Sequence, residues 1–368
     1  MIRAAGILFL VGDTALFLRR GNGGDYPDFW CLPGGKLEGD ETAEQAAIRE
    51  TLEEADIEVE AKDLRLWTRT IAPAQMGVPA IEGEAPAEPE DVDFSTFLCR
   101  LPEQFMPKLD LAEHDGYSWA PVGGAPEPLH PGVRVALDRL DMDELGVARA
   151  MAAGQLASPQ RYENVWLFAI RITGTGIAYR HNRKEFCWRD PSIYMTDDFL
   201  ARCNGLDVIY EHPEKSLLNH DEFHDRKVGA IFLPYFRADK PDEVWGIAKI
   251  RDDDVAKEMQ ENPMSTSPAV NFADPTANER IKLDDGKVML IEGKPSLLDH
   301  VAICPAGVWD KAGPPTGIES ADAQMEGIVM DAEIIQIVTT KKSNSLNILH
   351  LHAAAFAMKA QARSNAHL

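Results

Sequence analysis

The chain reads as an α+β protein of two or three domains. Three observations predict this. Its 368 residues exceed what one ordinary domain holds. Its first part alternates strand-like segments with one long helix. From about residue 158 onward, short strand-like segments dominate and helices are few, the pattern of a β-rich barrel or sandwich with added helices.

In order along the chain, residues 2–11 and 14–19 predict two strands around the Gly12-Asp13 turn. Gly21 to Pro27 is a polar loop. Residues 42–55 predict a helix, opened by Thr42 with Gln45 three positions later, a capping-box pair. Strands follow at 64–71, 93–100 and 117–122. The acidic, proline-rich stretch from Pro73 to Asp91 is expected to be a solvated loop. Residues 132–153 predict a closing helix ending near Gly154. The second part carries strand signals at 163–171, 228–236, 244–250, 288–292 and 299–304, and helix signals at 196–203 and 252–261. Residues 311–325 look like a linker, 326–339 like one strand or helix, and 346–362 like an alanine-rich helix. The expected units are 1–155, 156–310 and a linker with a poorly ordered tail at 311–368, with no internal repeat.

Composition narrows the function. Lys plus Arg total 37 against 60 Asp plus Glu, a formal charge of −23. So acidic a surface repels polyphosphate backbones, which excludes duplex nucleic acid as a partner but not a small nucleotide chelated to a metal. Hydrophobic residues are 45%, enough for each unit to bury a core. Five scattered cysteines without a Cys-x-x-Cys pair point to reduced thiols and a cytoplasmic setting rather than disulfides or zinc. Met1 to Val11 looks like a first strand, not a signal peptide. No run of about 18 apolar residues offers a membrane span.

The chemistry concentrates between Leu32 and Ile57. Glu50, Glu53 and Glu54 are spaced i, i+3, i+4, so three carboxylates share one helical face. Like charges so placed weaken a helix unless a cation neutralises them. Mg²⁺, with Mn²⁺ as the alternative, suits such oxygen ligands and keeps room for water and phosphate. Gly34-Gly35 allows close backbone approach. Arg49 can pair with a glutamate and fix its rotamer, and Glu41 lies near the helix start.

This segment resembles the Nudix box, G-x5-E-x7-R-E-U-x-E-E-x-G-U, where U is a bulky aliphatic residue. Gly35, Glu41, Arg49, Glu50, Glu53 and Glu54 match in register, while Thr51 replaces the first aliphatic and Asp56 the late glycine. The resemblance extends through 1–140. It implies an αβα sandwich around a mixed sheet and a metal-dependent hydrolase of nucleoside diphosphates linked to another group. It also implies that Glu50, Glu53 and Glu54 serve as metal and base residues, with the Gly35 carbonyl as a ligand. An acidic residue outside the box often adds a ligand or base in this family, and Glu113 and Asp115 are the candidates. Trp30 and Trp119 are candidates for base stacking or for core packing.

Three fragments mark the second part: Tyr210-Glu-His212-Pro, Ser265-Thr-Ser267-Pro and Leu298-Asp-His300. A serine activated by one histidine and oriented through another group is a general nucleophile arrangement. The fragments resemble the phage prohead (head-maturation) proteases over 158–310. That resemblance implies Ser267 as nucleophile, His212 as base and His300 as third member, acting on a scaffold or capsid protein inside the bacterial cytoplasm or an assembling procapsid. Ser265 is the rival nucleophile, and Pro268 removes one N–H that could serve an oxyanion. His220 and His224, near Asp221 and Asp225, are expected on a polar surface loop. The competing reading is an assembly module whose second part binds capsid partners without cutting and whose first part only binds nucleotide.

Overall fold

A computed structural model describes residues 1–22, 26–73, 91–180, 183–283 and 286–320. The expected loop between Pro73 and Asp91 falls mostly outside these residues, as do the segments at 326–339 and 346–362 and the end of the 311–325 segment.

Strands β1 (Ile2–Val11) and β2 (Thr14–Arg20) form the hairpin expected around Gly12, which takes a left-handed φ of 61°. Short strands β3 (Trp30–Cys31) and β4 (Gly34–Lys36) follow, then helix α1 (Ala43–Ala55). Strands β5 (Leu64–Pro73), β6 (Asp91–Arg100) and β7 (His114–Pro121) complete a seven-stranded mixed sheet. Its path is β3-β2-β1-β6-β5, with β4 on β1 and β7 on β2; β1 and β6 run parallel. Residues Ala4 to Leu10 are buried without alternation, which requires cover on both faces of β1.

The single closing helix expected over 132–153 is broken in two. Helix α2 (Pro131–Asp138) packs into the first core through Val133, Ala136 and Leu137. Helix α3 (Glu144–Ala152) is restarted by Asp143, whose side chain accepts from Gly146 N at 2.7 Å. Between them the Arg139 guanidinium is drawn inward under the Trp67 ring and binds Gln160 Oε1 at 2.9 Å and the Arg161 carbonyl at 2.6 Å. Helix α3 buries Val147, Ala148 and Met151 against Val165, Leu167 and Trp245 of the following sheet.

That sheet has seven strands: β8 (Gln160–Tyr162), β9 (Val165–Gly174), β12 (Asp207–Tyr210), β13 (Lys227–Phe236), β14 (Glu243–Ile250), β15 (Ser265–Asn271) and β18 (Leu297–Cys304), in the order β15-β18-β12-β13-β14-β9-β8. It curls as a half-barrel: Thr266 Oγ1 on β15 donates to the Arg171 carbonyl on β9 at 2.5 Å. A four-stranded sheet is made by β10 (Gly176–Arg180), β11 (Glu185–Arg189), β16 (Glu279–Lys282) and β17 (Val288–Glu292). Helices α4 (Pro191–Tyr194), α5 (Asp197–Cys203), α6 (His220–Arg226) and α7 (Asp253–Glu261) fill the connections.

Two expectations are corrected here. His220 and His224 lie on a helix, α6, because Asn219 caps it by accepting from Asp221 N and Glu222 N. The stretch after 311 does not begin as a free linker. Gly317 O accepts from Arg171 N at 2.7 Å, Glu319 N donates to Ala169 O at 3.0 Å, and Ile318 and Ser320 are buried. The segment therefore adds an edge to β9. The overall class is α+β with mixed sheets, as expected.

Candidate functional site

The first cluster is built on α1. Thr42 and Gln45 form the reciprocal capping box, and Asp56 ends the helix in the left-handed conformation, φ 56° and ψ 42°, with its N–H bonded to Leu52 O at 3.0 Å. The acidic residue in place of the late glycine thus makes the turn that a glycine would make. Thr51 is fully buried and its hydroxyl has no partner among the described residues, so it acts as a packing residue.

Arg49 organises the carboxylates. Its Nε donates to Glu41 Oε1 at 2.8 Å, Nη1 to Glu50 Oε1 and Glu53 Oε2 at 2.9 Å each, and Nη2 to the Lys36 carbonyl at 2.9 Å. The bond to Glu41 is the main cause that raises the guanidinium above its ordinary value. Three carboxylates on one guanidinium leave two formal negative charges unbalanced. Burial raises the Glu50 carboxyl above its ordinary range.

The two glycines set the distances. Gly34, with φ 152°, lies so close to β1 that a Cβ would come within 2.3 Å of Ala5 O. Its N–H donates to Glu54 Oε2 at 2.8 Å. At Gly35 a Cβ would meet the Glu50 carboxylate carbon at 2.5 Å. The Glu50 carboxylate therefore rests on bare backbone, as a shared cation between them requires. Glu54 is only 4% exposed.

The structure separates the two acidic candidates outside the box. Asp115 is paired with Arg19 at 2.6 Å. Glu113 stands with Glu54 and His114, whose ligand atoms all lie within 4.8 Å of one another. His114 was not singled out in the sequence, where it shows only as a histidine after Glu113. It is 1% exposed, and its Nε2 lies 3.0 Å from Glu54 Oε1 without hydrogen-bond alignment. Burial pulls its pKa down, but Cys31 and Glu54 outweigh this and raise it to about 10. The unbalanced carboxylates and the bare glycine cradle fit a divalent cation. Trp119 donates to Phe105 O at 2.9 Å and stacks edge-on with that ring, and Trp30 packs on the first core; both serve packing.

The second cluster lies on the half-barrel. Strands β12 and β18 run parallel, with Asp207 opposite His300. After β12 the chain turns at Glu211, φ 57°, whose N–H binds Ile303 O at 3.0 Å. The turn lays His212 over His300, and His212 Nδ1 is 3.1 Å from His300 Nε2. His300 Nδ1 in turn is 2.7 Å from Asp299 Oδ2. Antiparallel β15 pairs Ser267 with Ala302 and Ala269 with His300. Cross-strand partners and i, i+2 neighbours share a face, so Ser267 and His300 are diagonal neighbours on one face. That face is opposite Val301 and Ile303, which enter the core.

Ser267 Oγ has no hydrogen bond among the described residues. Such bonds are often loose before substrate binds. Ser265 is fully buried and locked, donating to Asp310 Oδ1 at 2.7 Å and accepting from Arg171 Nη2 at 3.2 Å. Burial is the first cause that lowers both histidines; the charge of His300 adds to it at His212, and Asp299 opposes it at His300. His212 is exposed and His300 is fully buried.

No helix among the described residues is long and apolar enough to cross a membrane. No curated protein matches the chain. Among solved structures, a MutT NUDIX hydrolase from Burkholderia pseudomallei shares 22% identity over 38% of this chain and 97% of its own, with a TM-score of 0.27. An Ap4A hydrolase from C. elegans shares 23% over 38% and 95%, with a TM-score of 0.29. The NUDIX domain of Shewanella oneidensis NrtR, solved with ADP ribose, shares 14% over 38% and 86%, with a TM-score of 0.30. Residues 1–140 match the family model of the NUDIX domain; the N-terminal region of this chain carries a Nudix domain.

Proposed function

We propose that residues 1–140 hydrolyse the diphosphate linkage of a nucleotide-type substrate with Mg²⁺, or Mn²⁺ in its place. The observation that carries this is the Arg49-centred group of Glu41, Glu50 and Glu53 set against Gly34-Gly35, with Glu54 and Glu113 beside it. Glu50, Glu53, Glu54, Glu113 and the Gly35 carbonyl would hold the cation. When bound, it supplies charge neutralisation at the diphosphate oxygens and acidifies water. Arg49 fixes the carboxylate rotamers, and Gly34 N–H holds Glu54. Glu50, its carboxyl raised by burial, is suited to take a proton from the attacking water as one P–O bond forms and the other breaks. Glu50→Gln is expected to remove Mg²⁺-dependent nucleotide release while leaving the fold intact. Unchanged turnover in the variant would refute the assignment of Glu50, and absence of turnover in the wild type would favour a nucleotide-binding role.

A second reading concerns residues 156–310, and the 3.1 Å contact of His212 with His300 favours it. In this reading Ser267 passes its Oγ proton to His212 and attacks a peptide carbonyl; the proton then goes to the leaving amine, and water releases the acyl group. By its resemblance to prohead proteases, the substrate would be a scaffold or capsid protein. Intact mass of wild type and Ser267→Ala tests it: processing that persists in the variant removes Ser267 as nucleophile. Absence of processing in both leaves the assembly-module reading in its place.

A further inference from the structure

The second reading leaves open which nitrogen of His212 carries a proton, and a residue outside the three fragments' expected roles decides it. Asp299 is the extra residue of a β-bulge. Ala269 pairs with His300 and Val270 with Leu298, so Asp299 has no partner on β15. Bulges re-aim side chains. Here the bulge turns Asp299 toward the ring of its own neighbour, where Oδ2 lies 2.7 Å from His300 Nδ1. The same oxygen accepts the Leu218 N–H at 2.8 Å, so it is anchored from the loop that follows His212.

We propose that Asp299 is a positioning residue that sets the tautomers of both histidines, and that it thereby makes Nε2 of His212 the basic nitrogen. An ionised carboxylate only accepts hydrogen bonds. The proton of a neutral His300 ring therefore sits on Nδ1, and its Nε2 must accept. The atom 3.1 Å from that Nε2 is His212 Nδ1, which must then donate. A neutral imidazole has one donor and one acceptor nitrogen, so His212 Nε2 is left with a lone pair. It has no partner among the described residues. Burial holds both rings toward the neutral form, as this relay requires. The relay runs Leu218 N–H and Asp299, then His300, then His212, and its free end is a base.

This rests on the serine reading for its use but not for its test. Long-range ¹⁵N–¹H NMR of histidine-labelled full chain at neutral pH reads the tautomers directly. The wild type is expected to show Nδ1-protonated His300 and His212. Asp299→Ala removes that acceptor and should leave both rings mixed. Asp299→Asn can keep its amide oxygen on the Leu218 N–H and the His300 Nδ1–H, so it should preserve both tautomers. Wild-type rings protonated on Nε2, or tautomers unmoved in Asp299→Ala, would overturn the proposal. A parallel experiment follows modification of Ser267 by diisopropyl fluorophosphate, located by peptide mass. The expected loss of rate in Asp299→Ala is about a hundred-fold or more, on the scale of removing the group that orients a catalytic histidine, with rescue by Asp299→Asn. Wild type with the expected tautomers and an unreactive Ser267 would sink the serine reading alone. Reactivity unchanged in Asp299→Ala would sink the role of Asp299.

Discussion

His212 Nδ1 and His300 Nε2 lie 3.1 Å apart although 88 positions separate them in the chain. The parallel pairing of β12 with β18 creates this relationship, because it puts the end of one strand beside the middle of the other. The left-handed turn at Glu211 completes it.

The two buried histidines give opposite pH limbs to stability. His300 is held below its ordinary value, chiefly by burial. The unfolded chain takes up a proton near pH ~6.5 while the folded ring does not. Its stabilising effect is complete above that pH and is lost as the pH falls toward the lowered folded value. His114, raised to about 10, contributes fully below pH ~6.5 and loses that contribution as the pH rises through its folded value. Thermal unfolding in chelator should therefore show a midpoint that declines from pH 7 to 5.5 and again from pH 8 to 10. His300→Gln should flatten the acid limb and His114→Gln the alkaline one. A midpoint that rises on acidification would contradict the first assignment.

Arg49 uses Nε, Nη1 and Nη2 together on three carboxylates and one carbonyl. A lysine offers one point charge and cannot hold this geometry. Arg49→Lys is expected to lower kcat for diphosphate hydrolysis by about 10²-fold, on the scale of losing one preorganised electrostatic group. Steady-state kinetics at saturating Mg²⁺ check this, and a wild-type kcat would mean that the carboxylates are positioned without it.

Adjacent glycines should fail differently. A Cβ at Gly34 would strike the Ala5 carbonyl at 2.3 Å at a φ of 152°, so Gly34→Ala should cost roughly 2 kcal/mol or more in stability. At Gly35 the Cβ would strike the Glu50 carboxylate instead, a side chain that can move. Gly35→Ala should keep most of its stability and lose affinity for Mn²⁺, by roughly ten-fold as for a disturbed ligand shell. Urea unfolding and Mn²⁺ titration separate the two outcomes; equal effects of both variants on both readings would refute the distinction.

Arg139 is fully buried beneath Trp67 and bonded to Gln160 and to carbonyls of Trp67 and Arg161. Burial lowers its pKa to about 10. Removing it leaves those acceptors unsatisfied. Arg139→Ala should destabilise the chain by roughly 3 kcal/mol, measured by urea unfolding, whereas a loss below about 1 kcal/mol would show that water replaces it.

What could be read in the sequence was local. The capping box at Thr42, the carboxylate face of α1 and the turn at Asp56 depend on residues a few positions apart, and all three appear in the structure. The break between α2 and α3 escaped because it depends on Arg139 reaching across to Gln160 and Arg161. Strands β10, β11, β15 and β16 are short, and polar residues interrupt them, so their pairing comes from neighbours distant in the chain. His114 and Asp299 are hidden in the sequence for the same reason. Each sits beside a candidate residue, but its partner, Glu54 or the Leu218 N–H, is distant in the chain, and a bulge aims Asp299.

The most direct measurement is Mg²⁺-dependent nucleotide release from ADP-ribose, dinucleoside polyphosphates and (d)NTPs by the full chain and by its Glu53→Gln/Glu54→Gln double variant. The account predicts turnover of at least one substrate by the wild type, abolished by chelator and in the double variant. Equal release by the two proteins across the panel would contradict it.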